Sequence, residues 1–166
     1  MNDDVCIHRV GIGTDLHRTE AGRPLILGGV RIESPFGLAG HSDADVVLHA
    51  VIDALLGAAA QPDIGELFPD TDPQFRGADS SALFRAVMSR IRSAGFAVVN
   101  VDVTIHAERP KLSAHKEAIR GSLSNLLGIP RERVGIKAKT GEGVDAVGRG
   151  EAISCTVVAG LAKVAP

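Results

Sequence analysis

Tryptophan and tyrosine are absent from the 166 residues, and five phenylalanines make up the 3 % of aromatic side chains. Platforms for stacking single-stranded nucleic acid are therefore scarce. Two cysteines, Cys6 and Cys155, are too few for an all-cysteine zinc site or a disulfide framework. Such usage suits a reducing, cytoplasmic compartment. Neither sign of charge dominates: 18 Lys and Arg against 20 Asp and Glu leave a formal −2. That balance argues against a nucleic-acid or anionic-membrane partner recognised through net charge. Long hydrophobic runs are missing as well. The most apolar stretch, Val46 to Ala60, is interrupted by His49 and Asp53 and is too short to span a bilayer. The acidic start, Met1 to Val5, lacks the basic and apolar regions of a signal peptide. The expectation is a soluble protein with no membrane partner.

Several chemical motifs are also lacking. There is no Gly-x4-Gly-Lys-Ser/Thr phosphate loop, and Gly11-Ile12-Gly13 has no third glycine at dinucleotide-binding spacing. No Gly-x-Ser-x-Gly elbow occurs, and neither cysteine lies in an activating motif. Covalent catalysis is unsupported.

What remains is ordinary globular material, 45 % hydrophobic and 23 % charged, in a length that fits one domain over 1–166. A disordered start leads into a strand over Val10 to Thr14. Leu25 to Ile32 reads as a hairpin around Gly28-Gly29. Ser42 or Asp43 caps a helix to about Ala59, ended by Pro62. Asp63 to Pro73 reads as a long surface loop. Helices follow over Ser80 to Ser93 and Ser113 to Leu127, with Gly95 and Gly128 as stops. Ala97 to His106, Val134 to Thr140 and Ala152 to Val164 read as strands. Without regular βαβ alternation, the fold class is α+β, with helices packed on one face of a sheet.

Three groups of residues can carry chemistry. Asp15-Leu16-His17 puts a carboxylate and an imidazole on one side of an extended chain, where both can reach one ion; a solvated strand end has the same spacing. In His41-Ser42-Asp43-Ala44-Asp45-Val46-Val47-Leu48-His49, the residues Asp45, His49 and Asp53 recur at helical spacing. His49 can then complete a three-ligand zinc site with Asp15 and His17, a neighbouring carboxylate fixing its tautomer. The spacing equally suits an amphipathic helix with a charged outer face. Finally, the polar segments around Asp63, Glu108-Arg109-Pro110-Lys111 and Lys137 to Gly143 offer carboxylates, basic groups and exposed amides.

Taken in order, Arg9 to His17, Leu27 to Val30, His41 to His49, Asp53 to Ala58, Asp63-Ile64-Gly65, Phe68 to Asp72, Pro110-Lys111 and Gly148 to Glu151 strongly resemble the 2-C-methyl-D-erythritol 2,4-cyclodiphosphate synthase family, from about Arg9 to Val164. The resemblance implies a mixed sheet, a homotrimer with active sites between subunits, and an enzyme of the non-mevalonate isoprenoid pathway. Its substrate would be a cytidyl diphosphate, cyclised by intramolecular phosphoryl transfer with release of CMP. It implies zinc, or another divalent transition metal, on Asp15, His17 and His49, and magnesium or manganese on Glu142. His41 and Thr140 match residues credited with transition-state stabilisation.

Asp15, His17 and His41 match substrate-binding positions, and Ser42, Asp63, Ile64 and Gly65, with Phe68, Pro69, Asp70, Thr71 and Asp72, match the segments around the methylerythritol phosphate. Ala107, Glu108, Arg109, Pro110, Lys111, Leu112 and Ser113, with Lys139, Thr140, Gly141 and Glu142, match the cytidine and diphosphate pocket, and Arg149 a phosphate contact. Lys139 and Gly141 stand where many relatives carry Thr, and Thr14 and Ala146 where a larger side chain is usual. The alternative on the same three ligands is a zinc-dependent hydrolase of a small phosphorylated molecule, with water as nucleophile and a linear product.

Overall fold

Alternation beginning at His8 is sustained for 14 residues, so the first strand, β1 (His8–Ala21), extends well beyond the expected Val10 to Thr14. The computed structural model describes residues 8–40, 42–69, 72 and 79–164. After β1 come β2 (Leu25–Leu27), β3 (Val30–Ile32), β4 (Phe36–Leu38), α1 (Val46–Ala58), α2 (Ile64–Leu67) and α3 (Ser80–Ser93). The second half contributes β5 (Phe96–His106), α4 (Lys116–Leu127), β6 (Val134–Lys139), α5 (Asp145–Gly148) and β7 (Ala152–Lys163). A five-stranded sheet runs in the order β4-β1-β7-β5-β6. Its neighbours are antiparallel except β5 and β6, which are parallel, so the sheet is mixed. β2 and β3 form a separate hairpin.

Period-two geometry divides β1 between two surfaces. Gly11 and Gly13 face inward, where α1 crosses. A Cβ on either would overlap a helix carbonyl oxygen, that of Ala54 or Ala50 respectively. Glycine at both positions therefore lets α1 lie directly on the strand. The helix is buried nearly all round, with Leu48, Ile52, Leu55 and Leu56 at 0 % exposure. Each such side chain stabilises the fold by about 1.5–3 kcal/mol. The charged outer face considered for this helix does not exist. Phe84, Val87 and Ile91 of α3 and Ile119, Leu123 and Leu127 of α4 join the same core.

Three local expectations are corrected. Ser42 and Asp43 do not cap α1: Ser42 Oγ accepts from the Ala44 amide and Asp43 Oδ1 from the Asp45 amide, forming turns. Ala44 adopts φ 56°, outside the helical region, and Asp45 becomes the cap. The expected loop after Pro62 contains α2, capped by Asp63. The third long helix begins at Lys116, because Ser113 to His115 close a turn on the Leu112 carbonyl. β4, a three-residue strand directly after Pro35, carried too little alternation to be read.

On the other face of the sheet, Val10 is 72 % and Ile12 66 % exposed, with Leu16 and Val158 beside them. Among the described residues, no helix is long and apolar enough to cross a membrane.

Candidate active site

Asp15 and His17 follow Gly11 and Gly13 on the inward side of β1, so the glycines that admit α1 also bring its His49 down onto them. Asp15 Oδ2 lies 2.9 Å from His17 Nε2 and 3.1 Å from His49 Nδ1. The two imidazoles approach to 3.3 Å between His17 Nε2 and His49 Nδ1. One ligand atom from each residue lies within 4.8 Å of the others, and all three side chains are half-buried. Two nitrogens and one carboxylate oxygen at this spacing suit zinc or another divalent transition metal.

The surroundings prepare the donors. Burial pushes the Asp15 carboxyl up, but the hydrogen bonds and charges of His17 and His49 outweigh it and hold the group well below its ordinary 3.8. Asp15 is thus ionised. Burial opposes the His17 cation, yet Asp15 and the Ala39 carbonyl raise it above 6.5 in the metal-free chain. His17 Nδ1 donates to Ala39 O at 2.7 Å, which turns Nε2 toward the cluster.

Neither carboxylate expected beside His49 serves it. Asp45 is fully buried and faces away, accepting from the amides of Gly28, Gly29, Val47 and Leu48. It ties the β2–β3 hairpin to the start of α1. Burial outweighs the bonds from Gly28, Gly29 and Leu48 and raises it from 3.8 to about 6. Asp53 accepts from the Ile64 amide at 2.9 Å and so anchors α2; burial raises its carboxyl despite that bond.

The cluster lies at a cavity of about 380 Å³, also lined by Ser42, Ile64, Gly65 and Phe68. Asp63 contributes its side chain to the α2 cap, accepting from the Glu66 amide at 2.9 Å. Pro69 and Asp72 follow, while His41, Asp70 and Thr71 lie outside the described residues.

A second cavity, of about 260 Å³, is lined by Ala107, Glu108, Lys111, Leu112, Ser113, Lys139 and Thr140. Glu108 Oε2 accepts from the Gly141 amide at 3.1 Å, and Thr140 Oγ1 donates to Glu142 Oε1 at 2.9 Å. Arg109 and Pro110 turn toward a third cavity with Phe36. Arg149 is exposed and pairs with Glu151. The described residues lining the cluster cavity and the second cavity have no member in common. Within one chain, the expected site is therefore divided. Sequence reasoning missed Ser80, whose Oγ stands 2.9 Å from His49 Nε2; an Asp-Ser-Ser run at a helix start reads only as capping chemistry.

The sequence model described as the YgbB family matches residues 8–162. A 2-C-methyl-D-erythritol 2,4-cyclodiphosphate synthase from Bordetella avium (strain 197N) is 57 % identical over 155 residues, covering 93 % of this chain and 96 % of that protein. The enzyme of the same name from Salinibacter ruber is 53 % identical, covering 90 % and 98 %. A solved 2C-methyl-D-erythritol-2,4-cyclodiphosphate synthase in a CDP-bound form superposes with TM-score 0.86 at 42 % identity, covering 92 % of this chain and 99 % of that one. The bifunctional IspDF from Campylobacter jejuni gives TM-score 0.91 at 37 % identity; 95 % of this chain matches 43 % of that longer protein. None of these similarities supports the hydrolase alternative.

Proposed function

This chain belongs to the YgbB family of 2-C-methyl-D-erythritol 2,4-cyclodiphosphate synthases, and we propose that it performs their cyclisation at a site assembled from the Asp15–His17–His49 cluster and the Lys111–Thr140 cavity. The reaction converts 4-diphosphocytidyl-2-C-methyl-D-erythritol 2-phosphate to the cyclic 2,4-diphosphate and CMP. An oxygen of the 2-phosphate forms a bond to the β-phosphorus, and the bond from that phosphorus to the bridging oxygen breaks. CMP leaves with that oxygen. Nucleophile and electrophile belong to one molecule, which accounts for a chain without an activated serine or cysteine.

An ionised phosphate needs little help from a base. Catalysis consists in folding it back in line with the leaving oxygen and neutralising the charge that moves. Asp15, His17 and His49 would hold a divalent ion, which would supply charge neutralisation for the diphosphate. The observation that carries this reading is the convergence of those three donors at one cavity. Ser42 and the Gly65 amide, on the turn that Asp53 anchors through Ile64, hold the methylerythritol phosphate end. Lys111 and Lys139 attract the nucleotide diphosphate, and the cytosine lies along Ala107 to Ser113. Glu142 would hold magnesium or manganese, and Thr140 would stabilise the reacting diphosphate, a role the resemblance also gives to His41.

The two halves meet between subunits of a homotrimer. Its contact surface is the open sheet face carrying Val10, Ile12, Leu16 and Val158, which a lone domain would leave in water. Co-assembly of two inactive variants, His17→Ala and Lys111→Ala, tests the arrangement. A shared site restores part of the activity in mixed trimers. No recovery in trimers of verified composition contradicts it.

A further inference from the structure

Two polar side chains outside the Asp15–His17–His49 cluster form a chain that ends on His49. Ser80 is the first residue of α3 and is completely buried. Its Oγ is 2.9 Å from His49 Nε2 and forms a very short hydrogen bond with Asp43 Oδ1. Asp43 is fixed in turn, accepting the Ser80 amide on Oδ2 and the Asp45 amide on Oδ1, both at 3.2 Å.

Proton counting sets the direction of the chain. An ionised carboxylate only accepts, whereas a serine hydroxyl has one proton to give. Asp43 takes that proton, since a charged acceptor at such short range forms the stronger bond. The Ser80 oxygen then faces Nε2 as an acceptor, so Nε2 must carry a proton. In a neutral imidazole this leaves the lone pair on Nδ1, the atom 3.1 Å from Asp15 and 3.3 Å from His17. Ser42 Oγ, at 3.4 Å from Nε2, is a longer and weaker second partner.

We infer that Asp43 and Ser80 are positioning residues that fix the ring and tautomer of His49, so that Nδ1 is the atom offered to the metal. This rests on the reading of Asp15, His17 and His49 as the metal site. It places the orienting carboxylate on the loop before α1, relayed through a hydroxyl from α3, and not on the neighbouring Asp45 or Asp53. The relay also couples the entry to α3 with the metal centre.

The test is zinc binding to the full-length, metal-free protein, by competition with a chromophoric chelator, for the unaltered chain, Ser80→Ala, Ser80→Thr and Asp43→Asn. Ser80→Ala removes the hydroxyl at a helix-compatible position and should weaken zinc about 10–100-fold, the range for loss of a ligand's hydrogen-bond partner. Ser80→Thr keeps the hydroxyl and should recover affinity; if its extra methyl prevents folding, Asp43→Asn, expected to weaken zinc in the same direction, takes its place. Melting of the metal-free proteins identifies folded variants. In the zinc-loaded unaltered protein, the His49 Nε2 proton should be visible by nitrogen-edited NMR and protected from exchange; in Ser80→Ala it should exchange rapidly. Unchanged zinc affinity in Ser80→Ala overturns the inference and leaves the metal site standing. Absence of zinc binding by the unaltered chain overturns both.

Discussion

Asp15 and His49 stand 34 residues apart in the chain, yet Oδ2 of the first is 3.1 Å from Nδ1 of the second. Their meeting depends on two glycines that carry no chemistry. Gly11 and Gly13 let α1 settle on β1, and the next inward positions of the strand are Asp15 and His17. The packing of the core and the geometry of the Asp15–His17–His49 cluster are one arrangement.

Removing one donor from that cluster should separate metal from fold. His49→Ala deletes a half-buried side chain that faces the cavity, so the folded state should persist. Bound zinc per subunit should fall toward zero, and kcat/KM by more than about 100-fold, since disturbing even the partners of a ligand costs 10–100-fold. Metal analysis of the purified variant with a turnover assay checks this. Full zinc and full activity would place the site elsewhere.

Gly13→Ala should do the opposite and damage fold and site together. The added methyl overlaps the Ala50 carbonyl oxygen, a backbone atom that cannot move without displacing α1. The expected loss is about 3 kcal/mol, the upper part of the overpacking range. For a domain of this size it lowers Tm by about 6–12 °C. Thermal unfolding measures the loss, and zinc affinity should fall with it because His49 moves with the helix.

The sequence already contained α3 and β5, because apolar spacing and a terminal glycine agree there: the helix runs Ser80–Ser93 as read, and the strand begins one residue before Ala97. Asp15, His17 and His49 were also legible, being close in motif and distinctive in type. The α1 cap was not. Ser42, Asp43 and Asp45 are equally good capping residues, and only Ala44's positive φ decides among them. The partnership of Asp45 with Gly28 and Gly29, and of Ser80 with His49, arises from tertiary packing that local periodicity does not encode. Short α2 and α5 lay hidden in polar loops because four residues carry too little periodicity to register.

Asp45 should make stability depend on pH with an unusual sign. Its folded pKa is raised, from 3.8 to about 6, unlike that of a carboxylate in a salt bridge. Between these values the folded chain keeps a proton that the unfolded chain releases, so the contribution of Asp45 to stability declines as pH rises through the window. Asp45→Asn should abolish that share of the slope. Asp45→Ala should cost about 2 kcal/mol at pH 7 through loss of the cap, and more through the orphaned amides of Gly28 and Gly29. Denaturant unfolding from pH 4 to 7 reads both effects; an unchanged slope in Asp45→Asn contradicts the assignment.

Ile12→Glu puts a charge in the middle of the open sheet face without touching the core, since Ile12 is 66 % exposed in the single chain. Sedimentation should show the unaltered protein at three times the chain mass and the variant at one, still folded by circular dichroism. Activity should disappear with the trimer, because the two cavities would no longer meet.

The central claim is that this chain closes a ring within its substrate. Phosphorus NMR of the purified protein with 4-diphosphocytidyl-2-C-methyl-D-erythritol 2-phosphate and magnesium follows every phosphorus atom through the reaction. The substrate signals should disappear while CMP and two coupled resonances of the cyclic 2,4-diphosphate grow in equal amounts. A linear product carrying an oxygen from water, or a nucleotide that binds and is never released as CMP, would contradict the claim.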